Sequence, residues 1–463
     1  MIIKRKKRKD GLPIFLIPLY YNCCFFYIAS DMDDGYDECV GVLSRVKTTL
    51  KSLRFSLKAR NNPLPLGSVL AECDNLRTFD YLQSCTVTAE ALDGIPTTPI
   101  NSLNDLTLAC GSLPTPQLER ILRCCPRILQ LACMNCDTSA FEVVEKLCPY
   151  LYSFGFNASP YELSDEKKQI LLNNMDNQQA PSPSCGIHHI HFDVRSAWLS
   201  VDHHDESVIR ILQNNANALE TADMRFGGYM DDDENQGFRW KNLRTIVAPH
   251  LRSLTLVFNL TMSPVIATLI SNCPTLETLV FGPTMEFIPN DIFQAISHLS
   301  MFKELTIKFV DDLSEQGLSL AFKSFANETG INQHQHHYSF NNFQKFKLEY
   351  CSSEVSREAA QSLAEIRSLQ EIHLNEAHMS QDTVELFARS LAHRHRNNSS
   401  FHTITLISMD CVTDQVLRYL NDIPSLRKVE LSYLRNITLE GLECLKSNTR
   451  IALDFKPHPS QKE

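Results

Sequence analysis

The feature that most constrains the fold of this chain is a six-residue apolar pattern that returns at a nearly fixed interval. Residues 401–445 show the pattern twice, as apolar-x-x-apolar-x-apolar hexads that begin at Phe401 and at Leu426. The alternating residues of such a hexad lie on one face of a short strand. After the first hexad come apolar residues at helical spacing, such as Leu417 and Leu420. The segment therefore predicts a strand and then a helix, twice over.

The same hexad recurs along most of the chain. Fourteen hexads can be placed, with first positions at Leu50, Leu76, Leu103, Ile128, Leu151, Ile187, Leu219, Leu251, Leu276, Phe302, Phe343, Leu369, Phe401 and Leu426. Seven of the thirteen intervals between them are 25 to 27 residues, which is too regular for chance. A strand and a full helix at this period are typical of a leucine-rich repeat solenoid. We predict an α/β fold, a curved solenoid of about fourteen repeats with parallel strands on the concave face and helices on the convex face.

The hexads also predict the domain organisation. Residues 1–36 form a basic and apolar N-terminal segment, residues 37–455 the solenoid, and residues 456–463, with two prolines and no apolar face, a disordered tail. Polar, glycine-containing and acidic runs fill the wider intervals, which is typical of mobile surface loops. The predicted loop insertions lie near 157–186, 226–242 and 326–342.

The N-terminal segment has two interpretations. A basic run at 4–9 followed by apolar residues 12–29 resembles a signal sequence or signal anchor, which would make the chain a secreted or membrane-anchored repeat receptor. Internal prolines and a poor cleavage site oppose this interpretation, and a basic run is equally typical of a nuclear signal. Three Asn-x-Thr sequons suit the secretory route, at Asn259, Asn327 and Asn436.

Charge and cysteine placement favour an intracellular, protein-binding chain. The net charge is −10, and the basic run at 4–9 supplies +6, so the remainder carries −16 and is a poor nucleic-acid-binding surface. Several of the sixteen cysteines occupy one position, where a helix leads into the next strand, as expected for small buried residues rather than for disulfides. These are Cys73, Cys124, Cys125, Cys148 and Cys273. We expect reduced thiols and a cytoplasmic or nuclear location.

The sequence Cys411-Val412-Thr413-Asp414, together with Cys-Pro junctions such as Cys148-Pro149, resembles the cysteine-containing leucine-rich repeats of F-box/LRR (RNI-like) proteins. The resemblance covers about residues 40–455. It implies a substrate receptor in SCF-type ubiquitin-ligase-dependent degradation, with a ubiquitin-ligase adaptor and a cullin as partners.

The chain departs from that family at its N-terminus. An F-box opens on Leu-Pro and an acidic helix, whereas Leu12-Pro13 leads into Ile-Phe-Leu-Ile-Pro, and no F-box is recognisable. Two alternatives therefore stay open: an F-box lost through a truncated or wrongly assigned start, and an F-box-less relative that acts as a scaffold or regulator.

The strand pattern also predicts which residues bind a partner. The third and fifth positions of a hexad point away from the core, onto the face that solenoids use for binding. The predicted partner-binding residues are His189, His191, Asp193, Asp223, Arg225, Glu304, Lys308, Lys345, Lys347, Glu349, Glu371, His373, Lys428 and Glu430. The same face holds Thr78, Asp80, Asp105 and Asn375. Within it, Lys308, Lys345 and Lys347 are expected to form a small basic group next to Glu349 and Glu371. The alternative is a solvated surface of mixed charge without a partner.

No motif for catalysis is present. The chain lacks a nucleophile elbow, a phosphate-binding loop, a metalloprotease helix and a Rossmann glycine pattern. Histidines cluster at 188–191, 203–204, 334–337 and 393–395, but a metal site needs three or four converging ligands. The pair Cys133-x-x-Cys136 has no second pair. We predict a monomeric, non-enzymatic protein-interaction module that takes a protein partner or degradation substrate and holds no cofactor and no metal.

Overall fold

The computed structural model describes residues 25–30, 47–57, 66–73, 75–177, 186–194, 204–226, 240–282, 285–326, 342–396 and 400–458. Backbone contacts divide the chain into two units, Met1–Asp223 and Met224–Glu463, and the boundary falls within a strand, Thr221–Arg225. We describe each unit by itself.

The first unit alternates strands with helices. Its strands are β1 (Phe25–Ser30), β2 (Ser52–Leu57), β3 (Thr78–Gln83), β4 (Asp105–Ala109), β5 (Gln130–Met134), β6 (Ser153–Phe156), β7 (His189–Asp193) and the first part of β8 (Thr221–Arg225). Its helices are α1 (Leu66–Glu72), α2 (Thr115–Cys124), α3 (Ala140–Leu147), α4 (Asp165–Asn177) and α5 (His204–Asn215), with a 3-10 turn at Glu90–Leu92.

The second unit repeats the same alternation. Its further strands are β9 (Ser253–Val257), β10 (Thr278–Phe281), β11 (Met285–Ile288), β12 (Glu304–Leu313), β13 (Lys345–Cys351), β14 (Glu371–Ala377), β15 (Thr403–Ile407), β16 (Lys428–Ser432) and β17 (Ala452–Lys456). Its helices are α6 (Ser263–Ser271), α7 (Asn290–Ser297), α8 (Glu315–Ala326), α9 (Arg357–Ala364), α10 (Gln381–Arg394), α11 (Asp414–Asn421) and α12 (Leu439–Lys446), with 3-10 turns at Trp240–Thr245 and Leu260–Met262.

Parallel pairing in chain order aligns the hexads of neighbouring repeats. In the first unit β1 to β7 pair in parallel, so that Leu53, Phe79, Leu106, Leu131, Phe154 and Ile190 form one buried row. In the second unit the row across β12 to β17 is Leu305, Phe346, Ile372, Ile404, Val429 and Leu453. These rows face the helices, because Phe154 packs against Phe141 of α3 and Phe346 packs against Phe322 of α8.

The predicted α/β leucine-rich repeat architecture is confirmed. Each of the fourteen predicted hexads contains a strand that begins two residues after the hexad's first position. The strands β1 and β11 were not predicted. β1 lies inside the segment assigned to residues 1–36 and pairs in parallel with β2. β11 pairs with the extended end of β12. Leu243 and Ile246, which belong to no hexad, are buried at and directly after the 3-10 turn Trp240–Thr245.

Side chains at the helix starts connect neighbouring repeats. The Asp414 carboxylate accepts hydrogen bonds from the Thr438 backbone N–H at 2.8 Å and from its hydroxyl at 2.6 Å. The Ser263 hydroxyl donates to Asp291 at 2.7 Å in the same way. Within α10, the Ser380 hydroxyl caps the helix by accepting a hydrogen bond from the Thr383 N–H. These polar contacts fix the stacking of one helix on the next.

The cysteines at the helix-to-strand junctions are buried, as their placement predicted. Cys73, Cys124, Cys125, Cys148 and Cys273 have little or no exposed surface, and the described cysteines are free. Burial raises the pKa of Cys148 and of Cys273 to about 12, so both thiols stay protonated at neutral pH. They act in the core as small apolar residues.

The predicted insertions are described in part. Within 157–186, the segment 165–177 is the helix α4 rather than a loop; it has no buried residue and is rich in strong helix formers such as Lys, Gln and Leu. Residues 227–239 and 327–341 of the other two insertions lie outside the described residues, as do 1–24, 31–46 and 459–463. Within the described parts of the chain, no helix combines the length and the apolar character needed to cross a membrane.

Candidate functional site

The residues predicted to bind a partner lie mostly on the strand face of the second unit, meaning the side of β12 to β16 that points away from the helices. Here the register places charged side chains of neighbouring strands side by side, because Lys347 aligns with His373 and Lys345 aligns with Glu371. The predicted residues on this strand face are Glu304, Lys308, Lys345, Lys347, Glu349, Glu371, His373, Lys428 and Glu430.

Ion pairs join this strand face across the strands. Lys345 Nζ lies 3.2 Å from Glu371, and Lys347 Nζ lies 2.8 Å from Glu304. Lys308 Nζ lies 3.6 Å from Glu349. The three lysines of the expected group therefore lie beside Glu349 and Glu371, and each is paired with a carboxylate. With Lys428 paired to Glu430 at 3.6 Å, the strand face carries four lysines and four glutamates, joined in four ion pairs.

His373 lies at the centre of this ladder. Its Nε2 is 4.0 Å from Glu349. Burial lowers the pKa of His373 although Glu349 and Glu430 act to raise it, and Lys347 and Lys308 lower it further. The imidazole is therefore neutral at physiological pH and can donate or accept one hydrogen bond. Asn375, Thr306 and Thr405 complete the strand face, the two threonines being buried among the long charged side chains.

The strand face of the first unit is partly covered by the chain itself. Lys168 of α4 reaches back to Asp105 on β4, with its Nζ 2.6 Å from the carboxylate. The Tyr161 carbonyl accepts hydrogen bonds from Gln130 at 2.5 Å and from Ser153 at 3.0 Å. Burial raises the pKa of Asp105 even though Lys168 opposes the shift. The segment 157–177 therefore lies over β4 to β6, and these strands offer a partner less surface.

Histidines and tyrosines pack together at β7, beside this segment. The Tyr161 ring stacks on His189 at 4.3 Å between centroids, and the Tyr152 ring stacks on His188 at 4.1 Å. Burial lowers the pKa of His189 to about 4, so its ring is neutral. His188 Nδ1 lies 2.9 Å from Glu220. Burial acts to raise the pKa of Glu220, but the hydrogen bond with His188 and the nearby charges lower it overall.

The remaining predicted residues are distributed over both units. His191 lies between the Ser159 carbonyl at 2.9 Å and Asp223 at 3.3 Å, and it is therefore held by contacts inside the first unit. Asp193 is partly exposed at the end of β7, and Arg225 ends β8 in the second unit. Elsewhere on the first unit's strand face, Asp80 pairs with Arg54 at 3.9 Å and Thr78 donates to Asp105 at 3.4 Å.

Sequence patterns missed the residues that cover or complete these surfaces. Tyr161 and Lys168 come from the insertion, and their contacts reach residues 28 and 63 positions away in sequence. Gln130 and Ser153 occupy the third hexad position, which places polar side chains on the strand face. The sequence could therefore have indicated them, but they are not among the predicted partner-binding residues. Among the described residues, no group of three or more His, Cys, Asp or Glu side chains is placed to hold a metal ion.

The chain has an α/β leucine-rich repeat fold. No family model matches the sequence, and no curated protein matches it. The fold assignment rests on the strand register and helix order described above.

Solved structures of repeat proteins are similar at low identity. Yeast Rad7 in complex with Elc1 is 15% identical, with a TM-score of 0.38 over 76% of this chain and 80% of that one. An internalin (inlF) of Listeria monocytogenes is 11% identical, with a TM-score of 0.39 over 93% of this chain and 86% of that one. The Drosophila Toll–Spatzle complex is 11% identical, with a TM-score of 0.39 over 94% of this chain and 61% of that one.

Proposed function

We propose that this chain is a non-enzymatic protein-interaction module that acts as a substrate receptor, or as a relative of one, in SCF-type ubiquitin-ligase-dependent degradation. The binding of a protein partner is assigned to the strand face of the second unit, and the ligase role follows from the cysteine-containing repeat pattern. A ubiquitin-ligase adaptor and a cullin are the partners that this role requires.

One observation carries the binding assignment. Four lysines and four glutamates of β12, β13, β14 and β16 form ion pairs on this strand face and remain partly exposed, for example Lys308 at 38% and Glu349 at 21% of the side-chain surface. Exposed ion pairs of this kind contribute little to stability, about 0 to 1 kcal/mol each. A fixed arrangement of paired opposite charges instead gives a surface that discriminates between partners, because a wrong partner brings like charges together.

The ligase assignment rests on residues of the repeats themselves. Thr413 is the N-cap of α11, and Asp414 binds the corresponding Thr438 of the next repeat. The segment from Cys411 to Asp414 therefore has a structural role in stacking, as repeated motifs of this kind do in solenoids. Its resemblance to F-box/LRR proteins is what directs the proposal toward degradation.

The test is an affinity purification of the tagged full chain from cells that express it, with mass spectrometry of the bound proteins. The strand-face swap Glu304→Lys with Lys347→Glu keeps an ion pair but reverses its direction. The matched control is the helix swap Lys323→Glu with Glu358→Lys, which reverses an ion pair between α8 and α9. Recovery of a cullin and an adaptor, together with a further protein that the strand-face swap alone loses, supports the receptor role. A stable partner recovered without cullin or adaptor would overturn it in favour of a scaffold.

A further inference from the structure

In the second unit, a residue with left-handed backbone conformation lies within each of β12, β13 and β14 and directly after each of the next two strands, β15 and β16. These residues are Phe309 (φ 52°), Tyr350 (φ 57°), Glu376 (φ 50°), Ser408 (φ 52°) and Tyr433 (φ 58°), and we refer to them as the strand-end ridge. The residues directly before them are aligned across the sheet. Lys308, which precedes Phe309, aligns with Glu349, and Glu349 aligns with Asn375. The ridge is therefore one continuous row across β12 to β16. At about 4.8 Å between strands, it spans roughly 20 Å.

The residue types along the ridge are not those that the backbone prefers. A residue with a Cβ is disfavoured at positive φ, and Asn is among the residues that tolerate it best. The first unit follows this preference, with Asn135 and Asn157 in the left-handed conformation after β5 and β6. Asn135 also donates its side-chain amide to the Cys110 carbonyl at 2.5 Å. Aromatic residues at such positions are therefore not explained by folding, and strained positions of this kind point to function.

The aromatic side chains of the ridge are open to solvent. Phe309 is 44% exposed, Tyr350 is 38% exposed and Tyr433 is 45% exposed. The Phe309 and Tyr350 rings stack on each other at 4.4 Å between centroids, with 8° between their planes. Stacking holds the two rings parallel and uses one face of each, so that each ring keeps one outer face.

Carboxylates surround these rings. The ridge and the turns that follow it, at 309–314, 350–356, 376–380, 408–413 and 433–438, contain five carboxylates and one guanidinium, which gives a local charge of −4. All five carboxylates are exposed, namely Asp311, Asp312, Glu354, Glu376 and Asp410. The one guanidinium, Arg435, lies 3.5 Å from Asp410 and donates to His458 at 3.3 Å. The surface thus combines exposed π faces with uncompensated negative charge.

A groove continues the ridge. It has a volume of about 520 Å³ and is lined by residues that include Glu376, Ser408 and Tyr433 of the ridge together with His378, Met409 and Arg435. Its wall therefore offers an aromatic ring, a carboxylate and an apolar thioether side by side. A side chain that is long, apolar along its stem and cationic at its tip suits this lining.

We propose that the strand-end ridge binds a basic, extended segment of a partner protein. Arginine or lysine side chains of that segment stack on the rings of Phe309, Tyr350 and Tyr433 and pair with Glu376 and the neighbouring aspartates. An extended peptide rises about 3.3 Å per residue, so about six residues span the ridge. The ridge borders the charged strand face, because Phe309 and Tyr350 directly follow Lys308 and Glu349. The proposal holds whether or not the chain belongs to a ubiquitin ligase.

The probe is an eight-residue fluorescent peptide in which arginine alternates with alanine, compared with the same peptide carrying glutamate in place of arginine. Binding to the full chain is measured by fluorescence anisotropy at physiological salt. The ring-deletion variant Phe309→Asn with Tyr350→Asn removes two π faces without changing the charge, and Asn is compatible with positive φ. The control Leu320→Asn removes an exposed apolar side chain from α8.

We expect the arginine peptide to bind, the glutamate peptide not to bind, and the ring-deletion variant to bind the arginine peptide at least tenfold more weakly while the control is unchanged. Circular dichroism and thermal unfolding verify that each variant is folded. Equal binding of both peptides, no binding of the arginine peptide, or undiminished binding by the ring-deletion variant would each overturn the proposal. The last result would mean that net charge alone attracts the peptide.

Discussion

The contact between Gly441 and Asp414 makes the stacking of the last repeats testable by a double-mutant cycle. Gly441 is in the first turn of α12 and donates its N–H to the Thr438 hydroxyl at 3.3 Å. A Cβ added at this position would lie 2.5 Å from the Asp414 Cγ and 3.1 Å from its Cβ. Because two hydrogen bonds from Thr438 hold the Asp414 carboxylate, it cannot move aside without losing them.

The magnitudes follow from these contacts. Gly441→Ala displaces the carboxylate and breaks both hydrogen bonds, and alanine's better helix propensity returns only part of the loss, so we expect the free energy of unfolding to fall by about 2 kcal/mol. Asp414→Ala removes the same hydrogen bonds and also costs about 2 kcal/mol. In the double variant the alanine methyl group occupies vacated space. The double variant should lose about 1 kcal/mol of unfolding free energy, which is about 3 kcal/mol less than the sum of the losses in the two single variants.

The assay is equilibrium urea unfolding of the full chain, with hydrogen exchange of peptides covering 410–446 to show that the change is local. Repeat arrays can unfold in more than one step, so the exchange data decide whether the urea midpoint reports this region. A double variant that loses as much as the two single variants together would mean that Gly441 and Asp414 do not touch. The stacking of α12 on α11 would then be wrong.

Three further predictions concern which strand face is buried, the pH dependence of stability, and the insertion at 157–186. Leu406 is 1% exposed, so Leu406→Asp buries an unpaired charge and should lower the free energy of unfolding by more than about 4 kcal/mol. The double variant Lys345→Glu with Lys347→Glu changes the exposed strand face and should lower it by only about 1–2 kcal/mol. Equal losses of the two variants in urea unfolding would show that the assignment of buried and exposed strand faces is wrong. Burial lowers the pKa of His395 from 6.5 to about 4, so the unfolded chain binds the proton more tightly than the folded chain. The free energy of unfolding should therefore fall by about 3 kcal/mol as the pH drops from 6.5 to 4. A His395→Leu variant with the same pH dependence of unfolding would show that His395 is not the cause of this fall. Tyr161→Ala removes the ring that stacks on His189 of the strand face and should increase hydrogen exchange in residues 161–177. Unchanged exchange would show that the ring does not hold the insertion in place.

The repeat architecture could be predicted from the sequence because its signal is local. A hexad such as the one at Phe401 places its apolar residues on one strand face, and parallel pairing then aligns it with the next hexad. The same logic located the junction cysteines and the charged strand face. The partner of Lys347 was not predicted, since its pairing with Glu304, 43 residues away, depends on the register between two strands.

What the sequence did not predict depends on long-range packing or on backbone conformation. Residues 165–177 looked like part of a loop, because the helix α4 has no buried face and its contact with Asp105 is not periodic. The left-handed conformation of Phe309 and Tyr350 could not be predicted either, because the spacing of apolar residues does not determine φ at these positions. Candidate surfaces of this kind require the folded backbone.

The binding role of the strand face in the second unit is tested most directly by the affinity of a purified partner for three versions of the full chain. The partner is the protein recovered by affinity purification, and calorimetry measures its Kd for the unmodified chain, for the strand-face swap Glu304→Lys with Lys347→Glu, and for the helix swap Lys323→Glu with Glu358→Lys. We expect the strand-face swap to weaken binding at least tenfold and the helix swap to leave it unchanged, because only the first reverses charges that a partner on the strands would meet. Unchanged binding by the strand-face swap, or a loss confined to the helix swap, would contradict the assignment of binding to the strands.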